Sequence, residues 1–239
     1  MSHLVQVNYD FHHHLKIDPT LAHLSAADVH LMPIVVQEFI NIASQSPIVI
    51  TKDGDTGQFG FSALLGFAEK QNLFFRDGQW QGLYLPLQIQ RQPFFIEQVS
   101  QENFAVCINI DSPMIVSEHH NQQQLQRLFI DGGQESSYLS NAKQCLGQLL
   151  QGEIDNKNLM EALLEAQLIQ PLSLEITFVD NSKTRLNGLY TIDQDKLAKL
   201  PDSKVNELHK AELLQPIYTM ITSLGQMYRL IDKQNQRLG

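Results

Sequence analysis

Three adjacent histidines, His12-His13-His14, are the densest run of metal-ligating side chains in the chain. In an extended segment alternate side chains face opposite ways, so His12 and His14 are the pair able to share one ion. Asp10 or Glu38 would have to join them through folding. Such a nitrogen and oxygen set suits iron or zinc; without a metal, these are surface or hydrogen-bonding histidines. A second group, Glu118-His119-His120, lacks the His-Glu-x-x-His spacing of a helical zinc hydrolase. Glu38 is the candidate acid or base, since its predicted neighbours are apolar and a buried carboxylate needs a partner. Arg91 is one candidate for that partner, and it is equally suited to hold a ligand carboxylate in a bidentate fork. Cys145 falls on an apolar helix face and reads as an inert thiol. There is no Gly-x-Ser-x-Gly elbow, no Walker phosphate loop and no dinucleotide fingerprint.

The elements that must position these groups follow from the spacing of apolar residues. Pro33 is placed to open a helix with Val36, Phe39, Ile40 and Ala43 on one face. Ile48-Val49-Ile50 and the stretch from Phe59 read as strands, separated by the turn Asp53-Gly54-Asp55-Thr56-Gly57. Leu73-Phe74-Phe75 and Trp80 flank a hairpin turn at Asp77-Gly78. Phe94 to Ile96 and Phe104 to Ile108 are expected to pair. Ser137 to Gln170 has helical spacing, with Gly152 as a dividing point between two helices. Leu172 to Val179 and Leu186 to Ile192 alternate as strands, and Asp193 caps a short helix. Pro216 is expected to open a last helix with Ile217, Met220, Ile221, Leu224, Met227 and Tyr228 facing inward. The fold class that results is α+β: a mixed or antiparallel β-sheet covered by helices in a single compact domain over residues 1–239. A change of texture near residues 112–137 marks a subdivision into a sheet-rich N-terminal part and a helix-rich C-terminal part.

Composition narrows the function classes. The 239 residues carry a formal charge of -9, a field that disfavours nucleic acid and anionic membrane surfaces. No apolar run reaches the length of a spanning helix, and the start lacks the basic and apolar regions of a signal peptide. Two cysteines are too few for a disulfide framework. The expectation is a soluble cytoplasmic protein. Its richest stretch, Gly66 to Phe95, holds the only Trp among closely spaced aromatic residues and turns. Here Trp80, Tyr84 and Phe94 would supply apolar contact to a ligand or partner, while Asn72 and Arg91 would fix polar groups.

That stretch also carries a family resemblance. Leu65-Gly66-Phe67, Asn72-Leu73-Phe74, Gly78-Gln79-Trp80, Tyr84-Leu85-Pro86 and Arg91-Gln92-Pro93-Phe94 resemble the central block of the SapC family, a bacterial group named for peptide transport or surface-layer association. His12 with Leu15, Glu38-Phe39 before Ser46-Pro47-Ile48-Val49, Gly188-Leu189-Tyr190 and Ile217-Tyr218 extend the likeness along nearly the whole chain. Two departures stand out. The tyrosine of the family's Tyr-Pro-Ile-Val is Ser46 here, and its Cys-Ile-Asp is Cys107-Ile108-Asn109, with Asp111 as the nearest acid. The resemblance implies an accessory role beside flavin-dependent halogenase-like and cupin-like oxygenase proteins, often with outer-membrane receptors. It also implies work on a peptide, an aromatic compound or an imported nutrient.

The leading expectation is therefore an accessory or binding protein without a cofactor of its own, recognising a peptide, a small aromatic-type ligand or a protein partner. One alternative is an iron- or zinc-dependent enzyme using His12, His14 and Glu38. The other is a surface-associated structural protein.

Overall fold

The two longest alternating runs become the two longest strands. In a computed structural model describing residues 3–100, 103–116 and 125–239, Ile169–Thr177 pairs antiparallel with Lys183–Ile192. The expected α+β class is the class observed, and every paired strand is antiparallel among the described residues. The chain gathers into two compact units, each made from two stretches: Met1–Ala26 with Leu87–Leu150, and Ala27–Pro86 with Gln151–Gly239.

The first unit holds a three-stranded sheet in the order Leu4–Gln6, Phe104–Asn109, Phe94–Gln98. A second small sheet places Lys16–Ile17 between Ile115–Val116 and Gln126–Arg127. Phe94, Cys107, Ile108, Ile17 and Leu139 are buried in it, and the Phe94 ring lies 5.8 Å from that of Tyr138. A short helix, Leu87–Gln90, follows Pro86, and the Gln92–Pro93 peptide is cis. The histidine run is not extended: Asn8 caps a one-turn helix, Tyr9–His12, by accepting the Asp10 N–H.

The second unit is built on a five-stranded sheet ordered Ile169–Thr177, Lys183–Ile192, Ile48–Lys52, Phe59–Leu64, Leu31–Pro33. Fully buried Ile48, Val49 and Ile50 fit a central strand. Helices Phe39–Ala43 and Leu214–Ser223 bury Phe39, Ile42, Ile217 and Met220. The Ser223 hydroxyl accepts the Ile48 N–H at 2.9 Å, tying helix to strand. Asn156, on the long helix Ser137–Glu165, accepts the Val36 N–H at 2.9 Å and donates to the Ile34 carbonyl at 3.0 Å.

Four expectations about elements are corrected here. Pro33 ends a strand, opposite Ser62, instead of opening a helix. The helical segment starts later, as the 3-10 turn Val36–Glu38 followed by Phe39–Ala43; Ile42 is buried and Ile40 is 61% exposed. Gly152 does not divide the long helix. A Cβ there would lie 2.5 Å from Val35 Cβ, so a residue without one permits the close approach. The last segment is two helices, Leu214–Ser223 and Gln226–Leu238; on the second, Met227 is buried as expected and Tyr228 is 77% exposed. Among the described residues no helix is long and apolar enough to cross a membrane.

Candidate functional site

The part of the central block up to Pro86 forms a looped segment on the second unit, and the part from Leu87 belongs to the first. The looped segment leaves strand Phe59–Leu64 and returns to it when the Leu73 N–H donates to the Leu65 carbonyl at 2.8 Å. Asn72, buried, folds its Oδ1 back onto the Phe74 N–H at 2.8 Å, a local turn typical of Asn. The hairpin is shorter than the apolar run suggested: Phe75–Arg76 pairs with Gln79–Trp80, and Asp77 and Gly78 take left-handed φ values of 51° and 75°. Trp80 stacks on the buried Phe74 ring, with centroids 5.6 Å apart and planes 21° from parallel.

One side of the block is a hydrogen-bonded clasp around Tyr84. The Gln45 amide grips that residue at both backbone atoms, accepting the Tyr84 N–H at 3.0 Å and donating to its carbonyl at 2.9 Å. The Trp80 indole N–H donates to the same carbonyl at 3.1 Å. A Cβ at Gly82 would lie 2.5 Å from Trp80 Nε1 and 2.8 Å from Gln45 Oε1, so the clasp needs a glycine there. The Tyr84 hydroxyl donates to Glu38 Oε1 at 3.1 Å. The other Glu38 oxygen accepts the Val35 N–H at 3.3 Å. Glu38, 1% exposed, is therefore occupied as the cap of its own turn and as the acceptor of a tyrosine. At the tip of the loop Leu83 is 81% exposed.

The other side meets the helix Gln226–Leu238. Gln234 Oε1 accepts a hydrogen bond from the Gln71 amide at 2.9 Å, and Gln71 Oε1 accepts the Phe67 N–H at 2.8 Å. Arg237 Nη2 donates to the Asn72 carbonyl at 2.7 Å and the Phe75 carbonyl at 2.6 Å. Lys233 Nζ sits 4.8 Å from the centre of the Phe74 ring. Arg229 reaches the Ser44 carbonyl at 3.4 Å. Burial, then the charges of Arg229 and Arg237, push the Lys233 ammonium below its ordinary pKa. Burial and the charge of Arg76 act on Arg237 in the same direction.

Of the residues singled out from sequence, Asn72, Trp80, Tyr84 and Glu38 lie together in this unit. Arg91 and Phe94 lie in the first unit. There Arg91 donates from Nε to Gln88 at 2.7 Å and from Nη1 to the Phe94 carbonyl at 2.9 Å, and its guanidinium stacks 4.2 Å over the Phe95 ring. Burial lowers its pKa. Phe94 is fully buried. His12 is buried with Nδ1 within 2.9 Å of the Asn8 nitrogen and 3.0 Å of the Asn8 oxygen, and His14 is exposed. Among the described residues no group of three His, Cys, Asp or Glu side chains is placed to hold a metal. Glu118, His119 and His120 lie outside the described residues.

Sequence reasoning missed Gln45, Lys233, Gln234 and Arg237. A glutamine clasp has no sequence signal. The basic residues do have one: Arg229, Lys233 and Arg237 stand four apart, on one face of a helix. No curated protein and no solved structure matches the chain significantly. The block that organises this site lies within residues 7–230, which match the SapC family model, and the chain belongs to the SapC family.

Proposed function

We propose that this protein is an accessory or binding protein that recognises a peptide or a small aromatic-type ligand at the loop carrying Trp80 and Leu83. The observation that supports this reading is the division of labour within the central block. Its candidate chemical groups are occupied by the fold: Glu38 by Tyr84 and Val35, Asn72 by Phe74. What the block offers outward is a half-buried Trp80, an exposed Leu83 and the neighbouring cations of the last helix. Apolar contact with a few oriented polar groups is the usual make-up of a binding site.

The test is native mass spectrometry of the untagged protein isolated from its own cells, beside Trp80→Leu and Leu83→Asp variants checked for folding by circular dichroism. A small molecule or peptide retained at fixed stoichiometry, and lost in both folded variants, is the expected result. A chain that carries nothing, or a retained species indifferent to both substitutions, overturns the reading.

A further inference from the structure

The last helix carries three cations, Arg229, Lys233 and Arg237, against one carboxylate, Asp232. Arg229, Lys233 and Arg237 recur at four-residue steps, about 6 Å of helix rise each. Like charges at that spacing repel and weaken a helix. One carboxylate, the exposed Asp232, is interleaved among them, yet among the described residues no carboxylate, Asp232 included, forms an ion pair with any of the three. Arg76, from the hairpin, adds a fourth cation, with the exposed Asp77 at 3.5 Å as its own counter-charge. In a protein of formal charge -9, four cations against two carboxylates, Asp77 and Asp232, around one loop are a local excess of positive charge.

The helix dipole accounts for one of them. A cation is favoured in the last turn, where Arg237 stands, but the effect fades beyond that turn and does not extend to Arg229. Arg237 has a structural task as well, since one of its nitrogens holds the Asn72 and Phe75 carbonyls. A guanidinium offers five donors, so that task leaves others for an anion. Lys233 has no such task. Its ammonium lies over Phe74, the ring on which Trp80 stacks.

We propose that Arg229, Lys233 and Arg237, with Arg76, form a binding site for a phosphoryl oxyanion beside the Phe74–Trp80 stack. This deepens the binding function proposed above and rests on it: the ligand would place an apolar or aromatic part against Trp80 and its phosphoryl group on the cations. A doubly charged, many-oxygen anion suits several cations one helical turn apart better than a single carboxylate does, and guanidinium forks match phosphate geometry. The negative charge of the whole protein selects against long polyanions and for a small one. Beyond a Debye length of roughly 8 Å at physiological salt, a small anion feels mainly the local patch.

The single tryptophan supplies the readout. Fluorescence of Trp80 is followed while the full chain is titrated with phenyl phosphate, inorganic phosphate, benzoate and the neutral N-acetylphenylalaninamide. Phenyl phosphate is expected to bind saturably and more tightly than benzoate. Inorganic phosphate, followed by calorimetry where it leaves the emission unchanged, is expected to compete with it. Lys233→Gln and Arg229→Gln, which leave the carbonyl contacts of Arg237 in place, are each expected to weaken phenyl phosphate by about tenfold. Raising the ionic strength from about 0.01 M to about 0.15 M weakens it further. Equal affinity for benzoate and phenyl phosphate, or indifference to both substitutions in folded protein, overturns the phosphoryl site. Binding of N-acetylphenylalaninamide without any phosphate binding overturns it too, while leaving the aromatic-ligand reading intact. Phosphate binding that needs the cations, in a protein retaining no Trp80-dependent species from its cells, supports the anion site and defeats that reading instead.

Discussion

The two sides of the central loop handle polar groups in opposite ways. Around Tyr84, donors meet acceptors: Gln45 holds both backbone atoms, Trp80 shares the carbonyl, and Glu38 takes the hydroxyl. Along the last helix, cations face one another, and Lys233 rests on an aromatic ring instead of a carboxylate. Buried polar groups are costly when unpaired, so the first arrangement is what a fold needs to keep a loop in place. The second is mixed: Arg237 ties down the Asn72 and Phe75 carbonyls, while the like charges at four-residue spacing oppose the helix. The contrast teaches how to separate a structural network from a binding surface: Glu38, Gln45 and Arg237 hold the loop through hydrogen bonds, whereas Lys233 meets a ring and no carboxylate and is the cation the proposed anion would engage.

The comparison breaks most sharply at Glu38. Glu38→Ala leaves the Tyr84 hydroxyl and the Val35 N–H short of an acceptor at a buried site. The expected loss is about 3 kcal/mol, read as a lower urea midpoint. Gln45→Ala removes both backbone contacts to Tyr84 and should cost about 2 kcal/mol in the same measurement, since loop water can reach part of what is exposed. Tyr84→Phe deletes a single hydroxyl and should cost about 1 kcal/mol. A loss comparable to that of Glu38→Ala would mean that the hydroxyl has a larger task than closing the clasp. Lys233→Gln sharpens the contrast from the other side. It relieves two like-charge pairs of about 0.2–0.5 kcal/mol each and removes a cation–π contact of about 0.5–1 kcal/mol, so stability should hold within about 0.5 kcal/mol while anion binding falls. A marked loss of stability would assign Lys233 to the fold.

The smallest effect lies in the pH dependence. The folded-state pKa of Lys233 is lowered, first by burial and then by Arg229 and Arg237, from an ordinary 10.5. Between the lowered value and 10.5 the unfolded chain holds the proton that the folded chain has lost, so this group makes stability rise with pH across that window. Cys107 acts in the opposite sense. Burial and Glu97 raise its thiol above an ordinary 9.0, and stability from that group falls as pH climbs through the window. The difference between wild type and Lys233→Gln isolates the lysine. Denaturation midpoints should show the wild type gaining on the variant as pH approaches 10.5, and parallel curves would contradict the burial of Lys233 together with its crowding by Arg229 and Arg237.

Local pattern carried much of the fold. Ile48 to Ile50, the strand from Phe59 and the strands expected at Leu172 to Val179 and Leu186 to Ile192, found as Ile169–Thr177 and Lys183–Ile192, were legible because apolar run or alternation is a property of neighbouring residues. The same holds for the Asp77-Gly78 turn and for Asp193, whose side chain caps Lys196 N–H as its position suggested. Errors arose where a residue answered to something distant. Pro33 looked like a helix opener and is an edge-strand residue opposite Ser62. Gly152 looked like a breaker and is a point of contact with Val35. Tyr228 fitted an inward stripe that continues past the break after Ser223 through Met227 and Leu230, while Tyr228 itself faces out.

For the site, the sequence by itself determined the block's membership in a family, its aromatic content, its hairpin and the four-residue spacing of Arg229, Lys233 and Arg237. All of these are short-range facts of residue type and period. Only the tertiary structure decided that Glu38 meets Tyr84, that Gln45 mimics a neighbouring strand for it, and that the last helix lays its cations beside Phe74. Gln45 and Glu38 stand 39 and 46 residues from Tyr84, and Lys233 stands 159 from Phe74. Their encounter depends on the packing of sheet and helices, which burial of apolar surface drives and which no local spacing encodes.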